Sequence, residues 1–457
     1  MAMPVSRLWS LVILVTSMPR KVSLTAMPRR ALGVIAINAI AFCVLAEALA
    51  LFLSYDDTGR LFYAYRKPYE PIAETREGRL TGDGLHPYFG PTHREGLPFD
   101  IPESLRDTLA PARVATNNFG FASPQNYPFT KTSPRQYVIG IFGGSVGAWF
   151  CQVGVHRLLE DLGQNAFFKS RELVPLCLSH EGYKQPQQLL VLAYFLSIGQ
   201  QFDLVLNIDG FNEVALSSLN SQRGLDISMP SVMHIDPLID LVNQSTLTPE
   251  KLQSLAAINQ FKERINRLIE RMQRNRIAAI NFVLERLYTS ALNSYQAELG
   301  RFANLPSNPS AKSLILATPS VKARDEALLF EDVSRSWAGS SMLMNTLLVT
   351  RGVPYVHVLQ PNQYFTTRAF SAEEAKVARS EASPFKGSVE KGYPVLVAES
   401  ESSSLKKTVN FVNALDIFDR EPSAVYIDDC CHYTLRGNQL LADVIARHIL
   451  GSKGPWN

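Results

Sequence analysis

The chain has 457 residues, 46% of them hydrophobic and 19% charged, with a formal net charge of +3. That balance excludes general disorder and leaves room for one large or two ordinary domains. So small a charge, without a basic face or an Arg-rich arm, gives no nucleic-acid footprint, and five cysteines exclude a disulfide-dense mini-domain.

The first element is an apolar run, Ala31 to Ser54, whose only charged residue is Glu47. As a helix rising 1.5 Å per residue it reaches about 36 Å, enough for a hydrocarbon core of about 30 Å. It outlasts a signal-peptide core and no small-x-small site closes it, so it reads as an uncleaved single-pass anchor. Arg20, Lys21, Arg29 and Arg30 precede it, and Asp56 and Asp57 follow. This places the tail 1–30 in the cytoplasm and the bulk of the chain outside it, which is the periplasm in a bacterium. The bilayer is therefore an expected partner. Arg60, Arg66 and Lys67 make the bias modest.

Residues 55–134 are rich in Pro and Gly and read as an irregular juxtamembrane segment. Within it, Thr116 to Phe121 reads as a packed turn before the first strand. From 135 to 457 strand and helix patterns alternate. Strands are expected at 137–142, 173–178, 202–208, 354–359 and 424–427, and helices at 186–198 and 435–450. Such alternation implies a parallel sheet with helices on both faces. An insertion at about 217–308 interrupts it. There Thr248 is a candidate cap and Pro249 suits a first helical turn. Apolar residues recur at Ile258, Phe261, Ile265, Leu268 and Met272, then at Ile277, Ile280, Leu284 and Leu287. This spacing predicts helices with one apolar stripe. They close on themselves or on the core, or form a lid or partner surface.

Three stretches carry the chemistry. Tyr137 to Phe142 ends in Gly143-Gly144-Ser145, which places a serine between a strand end and a helix start. Ligand sites collect at that edge of an open α/β sheet, and the helix N–H groups there favour negative charge. Phe202 to Ile208 ends in Asp209-Gly210-Phe211-Asn212-Glu213. Ala424 to Ile427 leads into Asp428-Asp429-Cys430-Cys431-His432. Together they offer a nucleophile, an amide donor, and a base with a carboxylate to orient it.

In these residues the chain resembles the SGNH (GDSL-type) hydrolase superfamily, from about Arg135 to the C-terminus. The resemblance implies a flavodoxin-like three-layer α/β/α fold, here with a helical insertion and an N-terminal transmembrane helix. It implies Ser145 as nucleophile and His432 as base. The Asp-x-x-His spacing selects Asp429 to orient the base, with Asp428 competing. The oxyanion hole would comprise Ser145, Gly182 and Asn212. No cofactor and no metal are expected. Two departures stand out: Gly-Asp-Ser becomes Gly143-Gly144-Ser145, and Gly-x-Asn-Asp ends in Glu213.

Asn362 and Gln363, leaving the fourth strand at the same edge, are candidate substrate-binding residues, or part of a solvated loop. A disulfide from Cys430 or Cys431 to Cys151 would staple the histidine loop to the serine helix, with four free thiols, counting Cys177, as the alternative. The expected activity is an esterase or O-acyltransferase on O-acyl, most often O-acetyl, groups of a glycan. A lipase and a non-catalytic binding protein are the alternatives. The sequence leaves the oligomeric state open.

Overall fold

The computed structural model describes residues 29–64, 83–106, 112–235, 247–306 and 324–457. The basic residues Arg20 and Lys21 lie outside them. The chain divides into two compact units, residues 1–72 with 254–302, and residues 73–253 with 303–457.

The larger unit begins with two small antiparallel sheets, β1 (Asp83–His86) with β2 (Gly90–His93) and β3 (Pro98–Asp100) with β4 (Arg113–Ala115). Residues 55–134 are thus less irregular than the sequence suggests. Asn117 forms the expected packed turn: its Oδ1 accepts the N–H groups of Phe119 and Phe121. The main sheet is parallel and uses β5 (Gln136–Gly143), β6 (Glu172–Ser179), β7 (Leu204–Asp209), β8 (Tyr355–Leu359) and β9 (Asn410–Asn413). Their order is β6-β5-β7-β8-β9. Counted along the chain this is 2-1-3-4-5, the flavodoxin-like order, whose ligand crevice lies between the first and third strands. Here those are β5 and β7. Every residue of β7 and β8 is buried, as expected for strands covered on both faces.

The helices follow from the crossovers. α2 runs from Ser145 through Ser145–Trp149, a π-helical turn Phe150–Gly154, and Val155–Leu162. α3 (Gln187–Ser197) and α4 (Phe211–Gln222) come next. α7 (Glu326–Val349), α8 (Lys386–Ser400) and α9 (Leu435–Gly451) follow, with shorter helices between them. α9 packs on α2, whereas α7 packs on α3, α4 and α8. Right-handed crossovers leading in opposite directions from β5 require these two groups on opposite faces. The fold is three-layer α/β/α.

One expected strand is corrected. Residues 424–427 do not join the sheet, and β9 takes the fifth place. The backbone there folds back on the chain just after it: Ile427 N–H donates to His432 O, and Thr434 N–H to Val425 O. Glu374 Oε1 accepts the N–H groups of Val425 and Tyr426.

The smaller unit holds α1 (Arg29–Thr58) and most of a helical hairpin, α5 (Pro249–Arg274) and α6 (Ala278–Asn304). Gly33–Asp56 has a mean hydropathy of 2.4 and is long and apolar enough to cross a membrane. The Thr248 cap forms, its Oγ1 accepting from Lys251 N–H. The hairpin closes on itself: Ile258, Ile265, Leu268, Ile269 and Met272 pack against Ala291 and Tyr295.

Candidate active site

Ser145, Gly182, Asn212, Asn362 and Gln363 each follow a strand end, whereas Asp428, Asp429 and His432 stand on a loop outside the sheet. Gly143 has φ +154°, and a Cβ on it would lie 2.3 Å from Ile208 O on β7, so glycine is required where the two strands draw together. Gly144, the N-cap of α2, would place a Cβ 2.1 Å from Asn212 Nδ2. The missing side chain therefore leaves room for the Asn212 amide against the backbone of Gly144, the residue before Ser145.

Ser145 Oγ lies 2.7 Å from His432 Nε2. His432 Nδ1 lies 2.5 Å from Asp428 Oδ2. The carboxylate is therefore Asp428, and the expectation for Asp429 is corrected. Asp428 Oδ1 accepts the N–H groups of Cys430, Cys431 and His432, winding the loop into a turn that brings residues i and i+4 together. Asp429 instead has its carbonyl held by Tyr364 Oη and Ser383 Oγ. Burial works to raise the Asp428 carboxyl, but the bonds from His432 and the loop N–H groups outweigh it and hold it below its usual range. It is thus a carboxylate facing the ring nitrogen opposite the serine.

Asn212 is buried, and its Nδ2 donates to Tyr183 O at 2.8 Å. An amide nitrogen carries two hydrogens, so this bond fixes the group while leaving the second for a ligand. Gly182 has φ +75°, and a Cβ on it would meet the His234 ring at 2.3 Å. It occupies the turn after β6, next to the carbonyl that holds Asn212. The Ser145 N–H lies in the first turn of α2.

Asn362 and Gln363 are 0% and 1% exposed, which removes them as substrate contacts. Asn362 Nδ2 donates to Cys430 O and Gln363 Nε2 to Asp428 O. Tyr433 Oη donates to Pro361 O. These side chains brace the histidine loop from the end of β8, a role that residue type alone did not signal. Asp209 is equally enclosed, bonded by His357, Trp337 and Asn207. His357 is accordingly a satisfied core histidine. Glu213 is buried and accepts the N–H groups of Gly210 and Gln185. Burial, then the charge of Asp209, pushes its carboxyl up to about 8.

The cysteines pair otherwise than expected. Cys151 bridges to Cys177, tying α2 to β6. Cys430 and Cys431 are free, with their Sγ atoms 3.1 Å apart. α2 is the crossover from β5 to its neighbour β6, which puts Cys151 within bridging reach of the second strand. Burial, and then the bond from Cys430, pushes the Cys431 thiol well above its usual range.

Among the described residues two clusters bring three metal-type donors within 4.8 Å: Cys430, Cys431 and His432, and His93, His180 and Glu181. In the first, both ring nitrogens of His432 are engaged by Asp428 and Ser145. In the second, His93 Nε2 meets Glu181 Oε2 at 3.1 Å, on the loop that leads into Gly182.

No family model matches the sequence, and no curated protein matches it. Among solved structures, the lipase Lip_vut3 from a goat rumen metagenome aligns with a TM-score of 0.29 and 11% identity, over 70% of this chain and 99% of that one. A likeness at that level carries no argument, so the chemistry rests on the geometry above.

Proposed function

We propose that this chain is a serine-dependent ester hydrolase or acyltransferase working through an acyl-enzyme. The observation that carries the reading is the continuous line Asp428–His432–Ser145, with the Asn212 amide set beside the serine backbone. His432 Nε2 takes the Ser145 proton as Oγ attacks an ester carbonyl, and Asp428 stabilises the imidazolium. The second Asn212 amide hydrogen and the Ser145 N–H receive the oxyanion, with the Gly182 N–H as third donor. The alcohol leaves with the proton from His432. Water or a second alcohol then takes the acyl group by the reverse steps.

The substrate proposed is an O-acyl, foremost O-acetyl, group on a glycan outside the cytoplasm, met by a domain anchored through α1. Support for a hydrophilic acceptor comes from the partly exposed pair His93 and Glu181, of which Glu181 lies on the loop after β6 next to Gly182. Asp209, Glu213, Asn362 and Gln363 are buried and do not contribute. The test offers the purified full chain short- and long-chain acyl esters together with an acetylated glycan. Acetate released from, or moved onto, the glycan is expected. Clear preference for long-chain esters, with the glycan untouched, would replace this reading by a lipase. A reporter fused after Asn457 tests the orientation, and cytoplasmic behaviour would overturn it.

A further inference from the structure

The apolar run Ala31–Ser54 of the anchor helix carries one acid, Glu47, and the smaller unit shows what it holds. Glu47 Oε1 accepts the Ala278 N–H at 2.7 Å, and Oε2 accepts the Ala279 N–H at 2.8 Å. The Tyr63 hydroxyl also donates to this carboxylate. Ala278 and Ala279 open α6, whose first N–H groups have no partner within the helix and favour negative charge. One helix thus caps another. Ala50 and Ala278 are buried at this contact with Phe62, so the two helices approach closely.

The first turns of α6 are apolar on the side away from the hairpin core. Ile277, Ile280, Val283 and Leu287 are 48%, 46%, 56% and 40% exposed. Their steps of three and four residues make one stripe. It continues the apolar surface of α1: Phe42, Leu49, Ile280 and Val283 line one groove. Soluble surfaces rarely leave such a stripe open. Just before it, at the hairpin tip, Arg271, Arg274 and Arg276 are exposed.

We infer that the tip of the α5–α6 hairpin is a second membrane element, seated in the headgroup–acyl boundary of the leaflet at the Asp56 end of the anchor. The occupant of the stripe is lipid with anionic headgroups. Apolar residues beside a basic cluster are the composition of an interfacial helix, with the stripe in the acyl chains and the cations on phosphate. The arginines set the depth. They sit two to seven residues from the bond to Glu47, so the ionic groups of both helices share one level, and long basic side chains reach outward to phosphate from there. The inference rests on α1 being a membrane anchor and is independent of the activity proposed above.

The test uses the full chain carrying Cys43→Ala, in phosphatidylcholine–phosphatidylglycerol nanodiscs. Ile280→Cys, Val283→Cys and the control Gln296→Cys each receive an environment-sensitive fluorophore, with the parent chain as labelling background. Positions 280 and 283 should lose emission to nitroxides on the lipid acyl chains and resist aqueous iodide, with the opposite at 296. Replacing phosphatidylglycerol by phosphatidylcholine should weaken the lipid quenching. Glu47→Ala should shift position 280 towards iodide. Iodide quenching at 280 and 283 with Glu47 intact would overturn the inference. So would shielding from both quenchers, which would mean a protein partner on the stripe. Unchanged lipid quenching with Glu47→Ala would overturn the role of the cap.

Discussion

The serine side and the histidine side of the site are held by different means. Ser145 and Asn212 project from the ends of two adjacent central strands, β5 and β7, and their placement depends on what is missing. Gly143 and Gly144 lack the side chains that would meet Ile208 O and Asn212 Nδ2. His432 stands on a loop outside the sheet, and its placement depends on what is added. Three N–H groups on Asp428, two amides from the end of β8 and two tyrosine hydroxyls hold that loop. A strand end fixes a residue through the ladder and close packing, whereas a loop needs its polar groups paired one at a time. The first half should fail through added bulk, the second through lost hydrogen bonds.

The largest effect lies where the halves meet. Ser145→Ala or His432→Ala should each lower ester turnover by about 10⁴–10⁶, and the double variant by little more, because the pair acts as a unit. Losses that multiply would separate the halves. Next comes the carboxylate: Asp428→Asn should cost about 10⁴ in kcat, as in other triads, and Asp429→Asn less than about tenfold. The reverse ranking would restore Asp429 to the role. On the serine side, Asn212→Ala should cost on the order of 10²–10³ through the lost oxyanion donor. Gly144→Ala should approach that loss and also lower the melting temperature, because its Cβ would displace the same amide from its bond to Tyr183 O. Full activity in Gly144→Ala would show that Asn212 is not where the oxyanion forms.

A smaller effect separates bracing from binding. Asn362→Ala and Gln363→Ala should lower kcat, about tenfold, by loosening the His432 loop. KM for different acyl esters should change little, and a rise confined to KM would return these residues to the substrate. Smallest is the pH dependence behind the Asn212 turn. Glu213, facing Asp209 and Lys184, keeps its proton up to about 8 when folded, against an ordinary 4.5. Between those values the unfolded chain loses a proton that the folded chain retains, so this group's stabilising contribution falls as pH rises. Glu213→Gln should flatten the decline in melting temperature across that window, and an unchanged slope would remove Glu213 as its source.

The two halves were also unequally legible in the sequence. β5 and β7 are buried on both faces, so they appear as apolar runs, the second broken by Asn207, that lead into Gly143 and Gly210, and their turns could be placed to within a residue or two. β9 escaped notice because of its four residues only Val412 is buried, which leaves no apolar run to read. The run 424–427 looks like a strand because Val425 and Tyr426 are buried, but by side chains around a turn and not by a sheet. Choosing between Asp428 and Asp429 required the path of the loop, since spacing alone does not say whether i+3 or i+4 faces the histidine. Asn362 and Gln363 show that an amide at the correct sheet edge can face inward as readily as outward. The Cys151–Cys177 bridge follows from a crossover helix packing over its own destination strand, a tertiary relation that cysteine spacing does not contain.

The most direct test of the central claim is covalent labelling of the full chain with a serine-reactive phosphonate, read by peptide mass spectrometry. A single adduct on Ser145 is expected, absent in Ser145→Ala and strongly reduced in His432→Ala. Labelling that persists in Ser145→Ala, or an unlabelled Ser145 in protein that still turns over esters, would contradict it.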